Sequence, residues 1–142
     1  MLLRRAALAE ILPLRHVELR PGLLRATACF DGDDEPTTLH VGAFDQAAIV
    51  GCASWMLRSW QGEPGWQLRG MATRADRVRR GVGRAVLVAG ERMLCDASEV
   101  RRAWCNARVA AIPFYERVGW QVASDVFDVP GVGPHRAMTR RL

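Results

Sequence analysis

The chain has no lysine, and its positive charge is carried by arginine alone. That excludes a Walker A nucleotide loop, which needs a lysine after its last glycine. The four cysteines, Cys29, Cys52, Cys95 and Cys105, form no C-x-x-C pair. Free thiols packed among apolar neighbours are therefore expected, with no metal or disulfide role. No apolar run approaches the ~20 residues that a membrane span requires. Met1 to Arg5 places its apolar residues before its charges, and Glu10 and Pro13 follow, so the start does not read as a signal peptide. A cytoplasmic protein without a membrane partner is the expectation. There is no basic tail, zinc-finger spacing or basic zipper. Apart from a cluster at 74–84, the arginines behind the net charge of +5 are spread along the chain, which argues against a nucleic-acid partner. There is also no repeat or linker, and the length of 142 residues suits one domain spanning 1–142.

What the chain does have is concentrated first between residues 66 and 94. Trp66 to Thr73 reads as a strand running into an arginine-rich loop. Five arginines lie between positions 74 and 84, and Gly81 and Gly83 stand two apart. A helix follows from about Gly83 to Leu94, with Val82, Ala85, Val86, Ala89 and Met93 at the spacing of one face. A helix N-terminus presents unpaired N–H groups and the positive end of the peptide dipoles. Glycines let the backbone wrap closely around an anion. The stretch therefore predicts a site for a phosphorylated ligand, most naturally a pyrophosphate. A dinucleotide fingerprint fits poorly, because Val86 stands where the third small residue belongs and no acid lies near position 101.

Around this centre the pattern is mixed α/β. Residues 2–5 read as a short strand and Ala7 to Leu19 as a helix with Leu8, Ile11, Leu12, Arg15 and Leu19 at helical spacing. Pro13 should start or bend that helix. Asp31 to Glu35 is an acidic loop, read either as solvated or as a lip attracting a cationic amine. Thr38 to Phe44 and Ile49 to Leu57 read as strands joined at Asp45–Ala48, a turn without the usual glycine. Ala103 to Asn106 reads as a buried strand. A helix from about Ala110 to Val118 should be capped by Gly119. Trp120 to Phe127 and His135 to Arg141 read as closing strands on either side of a Pro-Gly bend.

Two motifs now stand in order: Val78-Arg79-Arg80-Gly81-Val82-Gly83, and, after strand 103–106, Asn106 followed by Phe114-Tyr115-Glu116-Arg117-Val118-Gly119-Trp120. Together they resemble the GNAT superfamily of acyl-CoA-dependent N-acetyltransferases, in particular its small bacterial members, over roughly residues 38–142. Val78 departs from the Gln or Arg that begins the family's loop, which removes one side-chain contact but leaves the backbone cradle. The resemblance implies a mostly antiparallel central sheet with two splayed parallel strands, about 66–73 and 102–106, and flanking helices. It implies acetyl-CoA as cosubstrate, lying between those strands. Met71, Ala72 and Thr73 would meet the pantetheine arm and the carbonyl oxygen. Arg79, Arg80, Gly81, Val82, Gly83 and Arg84 would hold the pyrophosphate. Asn106 and Phe114 would bind the rest of the arm.

Tyr115 would act as general acid for the leaving thiolate, since a phenol of pKa about 10 can supply that proton. A small-molecule or protein amine would be the acceptor, attacking directly in a ternary complex. Glu63, His40, His135 and the acidic loop are the candidates for the base, and none is singled out. The rival reading is an inactive CoA-binding sensor or a basic nucleic-acid-binding domain. A homodimer is compatible with the sequence, which identifies no interface.

Overall fold

The computed structural model describes residues 1–142, with eight strands joined in one sheet and three α-helices. The strands are β1 (Leu2–Arg5), β2 (Leu39–Asp45), β3 (Ala48–Leu57), β4 (Trp66–Thr73), β5 (Arg102–Arg108), β6 (Gln121–Val122), β7 (Phe127–Val129) and β8 (Gly133–Arg141). Their order is β1-β2-β3-β4-β5-β8-β6, with β7 also paired to β8. Every pairing is antiparallel except β4 with β5. That parallel pair touches only at its start, Trp66 opposite Ala103 and Gln67 opposite Trp104. Beyond Gln67 the two strands part, as the family resemblance implies. The backbone edge of β4 from Leu68 to Thr73 thus faces a gap where another strand would ordinarily sit.

A bulge in β4 accompanies the divergence. Cys52 pairs with Ala72, but Ser54 pairs with Arg69, so Ala53 stands opposite two residues, Gly70 and Met71. Gly70 adopts φ of +64°, which disfavours any residue with a Cβ. A bulge of this kind bends the strand that carries it. It lies three to four residues beyond the last pair that β4 makes with β5.

The helices cover opposite faces. On β3, Ala53 and Trp55 point to one face with Val86, Leu87 and Leu94 of α2 (Val82–Ala97), whereas Cys52 points to the other with Ile11 and Leu14 of α1 (Leu8–Leu19). This is the period of two in a strand buried on both sides. The buried stripe of α2 runs through Val82, Val86, Leu87, Gly90 and Leu94. Gly90 belongs to it because the Trp55 indole fills the space: a Cβ there would lie 2.1 Å from the ring. Pro13 neither starts nor ends α1; the helix runs through it, begun by the Ala7 N–H donating to Glu10 at 2.9 Å.

Three local expectations are corrected. The strand drawn from Trp120 to Phe127 is broken into β6 and β7. Between them the Ser124 hydroxyl accepts the N–H of Ala137 at 2.8 Å, so a side chain replaces backbone in the ladder. The helix drawn from Ala110 is a 3₁₀ turn, Val109–Ala111, followed by α3 (Ile112–Arg117), with Pro113 in its first turn. Gly119 does close it, at φ of +95°. The cysteines divide: Cys52 and Cys105 are buried, Cys95 is half-buried and Cys29 is exposed, all as free thiols.

The turn between β2 and β3 is a two-residue hairpin in which Gln46 and Ala47 both take positive φ, 48° and 69°. Such a turn suits the twist of the strands, and side chains are strained there by about 1 kcal/mol each. Replacing Ala47→Gly is expected to raise the melting temperature by a few degrees, measured by differential scanning calorimetry. An unchanged or lower midpoint would show that the turn is not strained.

Candidate active site

Two cavities open into the region where β4 and β5 part, and they share a wall formed by Met71, Ala111 and Tyr115. The first, about 580 Å³, lies against the start of α2. It is lined by Met71, Ala72 and Thr73 of β4, by Arg79, Gly81, Val82, Gly83 and Arg84 of the loop and first turn, and by Phe114 and Tyr115 of α3. These are ten of the twelve site residues singled out from the sequence. Arg80 and Asn106 do not line it: Arg80 is exposed on the loop, and the exposed Asn106 lines the second cavity. Val78, Arg117 and Val118 also line the first cavity. They lie within the two motifs, at positions to which the resemblance assigns no contact, and were not singled out for that reason.

The loop has the properties of an anion cradle. The residue before α2, Gly81, takes φ of +79° with open space beside it, so it serves conformation. Gly83 serves closeness instead: a Cβ there would lie 3.1 Å from Met71 Cε and 3.3 Å from Phe114 Cζ. No side chain caps the helix, and no acidic residue stands in its first turn. The opening amides of α2 are thus left with their donors and the positive end of the dipole. Of the five arginines in the stretch, two are engaged elsewhere: Arg74 pairs with Asp76 at 2.6 Å and Arg77 with Asp45 at 2.7 Å. Arg79, Arg80 and Arg84 take part in no ion pair.

Tyr115 stands between the cavities. Its ring packs edge-on to Phe114, with centroids 5.2 Å apart, and against Trp120 at 5.5 Å. Its hydroxyl donates to Met71 Sδ at 3.6 Å. A thioether is a weak acceptor, so that proton remains available to a better one. Burial, aided by the nearby Cys105 thiol, pushes the phenol well above its ordinary pKa.

The second cavity, about 390 Å³, lies on the side of β5 and β8. It contains Arg20, Arg69, Arg108, Asn106 and His135, with Phe30 among its apolar lining. His135 is buried, stacks on Phe127 with centroids 6.1 Å apart, and places Nδ1 2.8 Å from the Gly133 carbonyl. A carbonyl only accepts, so Nδ1 carries the proton and a neutral ring keeps its lone pair on Nε2. The other base candidates lie elsewhere. His40 is buried between Ser54, 2.6 Å from Nδ1, and the Asp33 carbonyl, 2.9 Å from Nε2. Glu63 lines neither cavity.

The acidic loop is only partly solvated: Asp31 and Asp34 are exposed, and no residue from 31 to 35 lines either cavity. Asp33 is buried and takes the Arg15 guanidinium at 2.6 and 3.1 Å, together with the Phe30 N–H at 2.6 Å. Glu35 pairs with Arg58 at 2.8 Å.

Three comparisons bear on the site. Residues 26–141 match the family model described as an acetyltransferase (GNAT) domain. An uncharacterized N-acetyltransferase of Bacillus subtilis, YitI, is 30% identical over 135 residues, covering 91% of this chain and 88% of that protein. The fold resembles that of an aminoglycoside 6'-N-acetyltransferase complexed with coenzyme A: TM-score 0.80, 14% identity, 99% and 97% of the two chains covered. It also resembles Escherichia coli ElaA, with TM-score 0.81, 14% identity and 99% of each chain covered.

The buried acids set an alkaline limit on this region. Burial raises Cys52 to about 11 and Cys105 to about 12, and lifts Tyr115 further. Unfolded thiols ionise near ~8.5 and an unfolded tyrosine near ~10. Above those values the unfolded chain has lost protons that the native one keeps, so stability is full below about pH 8.5 and falls as pH rises, reaching about 1.4 kcal/mol per pH unit for each group. Tyr115 is the chain's one tyrosine, so tyrosinate absorbance reports on it alone. That absorbance should appear only together with loss of near-ultraviolet circular dichroism. Ionisation near pH 10 in a folded protein would contradict the burial.

Proposed function

The chain belongs to the GNAT acetyltransferase family, and from that premise we propose that it transfers the acetyl group of acetyl-CoA to an amine by direct attack in a ternary complex. The observation that carries this reading is one continuous cavity wall. It joins an uncapped helix start, the free edge of β4 and the one tyrosine of the chain. A cosubstrate with a pyrophosphate, a long amide-bearing arm and a thioester matches those three features in that order. The Gly83 position supports the fit, since a side chain there would close the cradle against Met71 and Phe114.

Acetyl-CoA supplies an acetyl group already activated as a thioester. The chain's own groups position it. The Gly81 to Arg84 amides hold the pyrophosphate, with Arg79, Arg80 and Arg84 adding positive charge around it. The unpaired backbone of Met71 to Thr73 takes the pantetheine arm as a sheet takes an added strand. Phe114 packs beside the arm, and Asn106 meets it from the facing strand. An N–H at Met71 or Ala72 is the donor for the carbonyl oxygen.

Tyr115 stays a neutral phenol, because burial disfavours its anion. It therefore meets the departing sulfur as a hydrogen-bond donor, changing its partner from Met71 Sδ to the thioester sulfur. In this reading the acceptor enters by the second cavity, and His135 in its lining would take the proton that the amine gives up. The sensor alternative would need no tyrosine at the shared wall, and nothing in the geometry favours it.

Replacing Tyr115→Phe should lower kcat by about a hundredfold, the scale of one positioned proton donor, and leave acetyl-CoA affinity nearly unchanged. Steady-state rates of thiol release will show it, and an unaltered kcat removes the role. Gly81→Asp puts a side chain and a negative charge where the loop needs positive φ and an anion site. The wild type should melt higher with saturating acetyl-CoA, by about 2.7 kcal/mol of added stability at a hundredfold excess over Kd, and the variant should not. If acetyl-CoA does not raise the wild-type midpoint, the transferase reading falls.

A further inference from the structure

The second cavity carries charge that its surroundings do not cancel. Three arginines, Arg20, Arg69 and Arg108, line it, and no aspartate or glutamate does. Six arginines outside the cavity are matched with acid: Arg4 with Glu10, Arg15 with Asp33, Arg58 with Glu35, Arg74 with Asp76, Arg77 with Asp45 and Arg140 with Glu91. None of the three cavity arginines takes part in an ion pair. Two carboxylates on elements that border the cavity, Glu18 of α1 and Asp128 of β7, do not line it. Glu18 accepts the N–H of Ala75 at 3.3 Å, and Asp128 is exposed on β7 outside the cavity lining.

The arrangement is held in place. Phe30 forms a platform: the Arg69 guanidinium carbon lies 4.6 Å from its ring centroid, that of Arg20 5.5 Å, and that of the buried Arg15 4.3 Å. Asp33 could offset this concentration of charge, but it is already engaged by Arg15 through both oxygens. Arg69 is half-buried, and burial together with the nearby Arg15 and Arg20 lowers its pKa, with Asp33 opposing. Like charges gathered in a partly desolvated wall are unfavourable unless an anion completes them. The planar fork of arginine suits a carboxylate or a phosphate, which it can bind through two parallel hydrogen bonds.

We propose that the acceptor is a small amine that also carries an oxyanion, a carboxylate or a phosphate, held by Arg69, Arg20 and Arg108 while its amino group is turned toward the wall shared with Tyr115. This rests on the acetyltransferase reading above. A cavity of about 390 Å³ suits a molecule of amino-acid size. Polycationic amines, such as polyamines or aminoglycosides, would meet like charge on entry and are disfavoured as acceptors.

The test compares initial rates of thiol release from acetyl-CoA with matched acceptors, each at the same concentration of free base. Leucine is set against leucinamide and 3-methylbutylamine, and O-phosphoethanolamine against ethanolamine, with spermidine as the polycation. The oxyanion-bearing member of at least one pair should have the higher kcat/KM by about tenfold to a hundredfold, the range of a charge-assisted contact. Which pair responds separates carboxylate from phosphate. Arg69→Gln and, separately, the exposed Arg108→Gln should raise KM for that acceptor and shrink the preference. The stabilisation by acetyl-CoA should be retained in both.

A melt without ligand checks that each variant folds. Preference for spermidine or for the neutral members, no turnover of any oxyanion-bearing amine, or preferences unchanged in both variants overturns the proposal while acetyl-CoA binding still stands. Absence of any acetyl-CoA shift in the wild type instead overturns the transferase reading, and the acceptor proposal with it.

Discussion

The guanidinium of Arg15 is the point on which this structure turns. It is fully buried and donates to the Ala28 carbonyl, to both oxygens of Asp33 and to the Ser54 hydroxyl. Those partners lie on the segment after α1, on the acidic loop and on β3. Ser54 passes the chain of hydrogen bonds to His40, whose other nitrogen must donate to the Asp33 carbonyl. Arg15 Nε stands where a Cβ on Gly70 would be, 2.6 Å away, so the bulge of β4 is seated directly on the ion pair. A buried pair of this sort adds little net stability over an apolar core, but removing one partner leaves a stranded charge at a cost of about 3–5 kcal/mol. Its value here is positional. It fixes α1, the acidic loop, β3 and the bulged strand relative to one another, and it sets Phe30 in the wall of the second cavity.

From that anchor the two halves of the site differ in how they are made. On the α2 side the determinants are mainly backbone: a strand edge freed by divergence, uncapped amides, and two glycines that respectively permit a conformation and a close approach. On the β8 side they are side chains: three arginines, an asparagine and a histidine. Tyr115 belongs to both, packed by Phe114 and Trp120 and directed at sulfur.

The sequence revealed the first half more readily than the second. Gly81-Val82-Gly83, the strand before it and Phe114-Tyr115 are contiguous patterns whose local conformation follows from residue type, and ten of the twelve residues singled out line one cavity. The splayed pair was legible only through family resemblance, since divergence of strands leaves no periodic trace. What escaped were features made by distant residues. Arg15 fell on the apolar face of its helix, yet nothing in spacing says that an arginine will be buried with Asp33. Gly90 gives no hydrophobic signal, although Trp55 needs its missing Cβ. Arg20, Arg69 and Arg108 come from three elements far apart in the chain. The break between β6 and β7 depends on one serine hydroxyl standing in for a backbone group. The hairpin at Gln46 and Ala47 lacks the glycine that marks such turns and is formed regardless, because the strands on either side impose it.

A cradle built from main-chain groups is indifferent to most of the side chains that pass through it. Substitutions can accumulate in such a segment for as long as its few conformational requirements are met, while every change among the arginines across the wall alters what is admitted there. Descent should therefore preserve one end of the molecule and diversify the other. Within such a lineage, ancestry then reports the donor more faithfully than it reports the recipient.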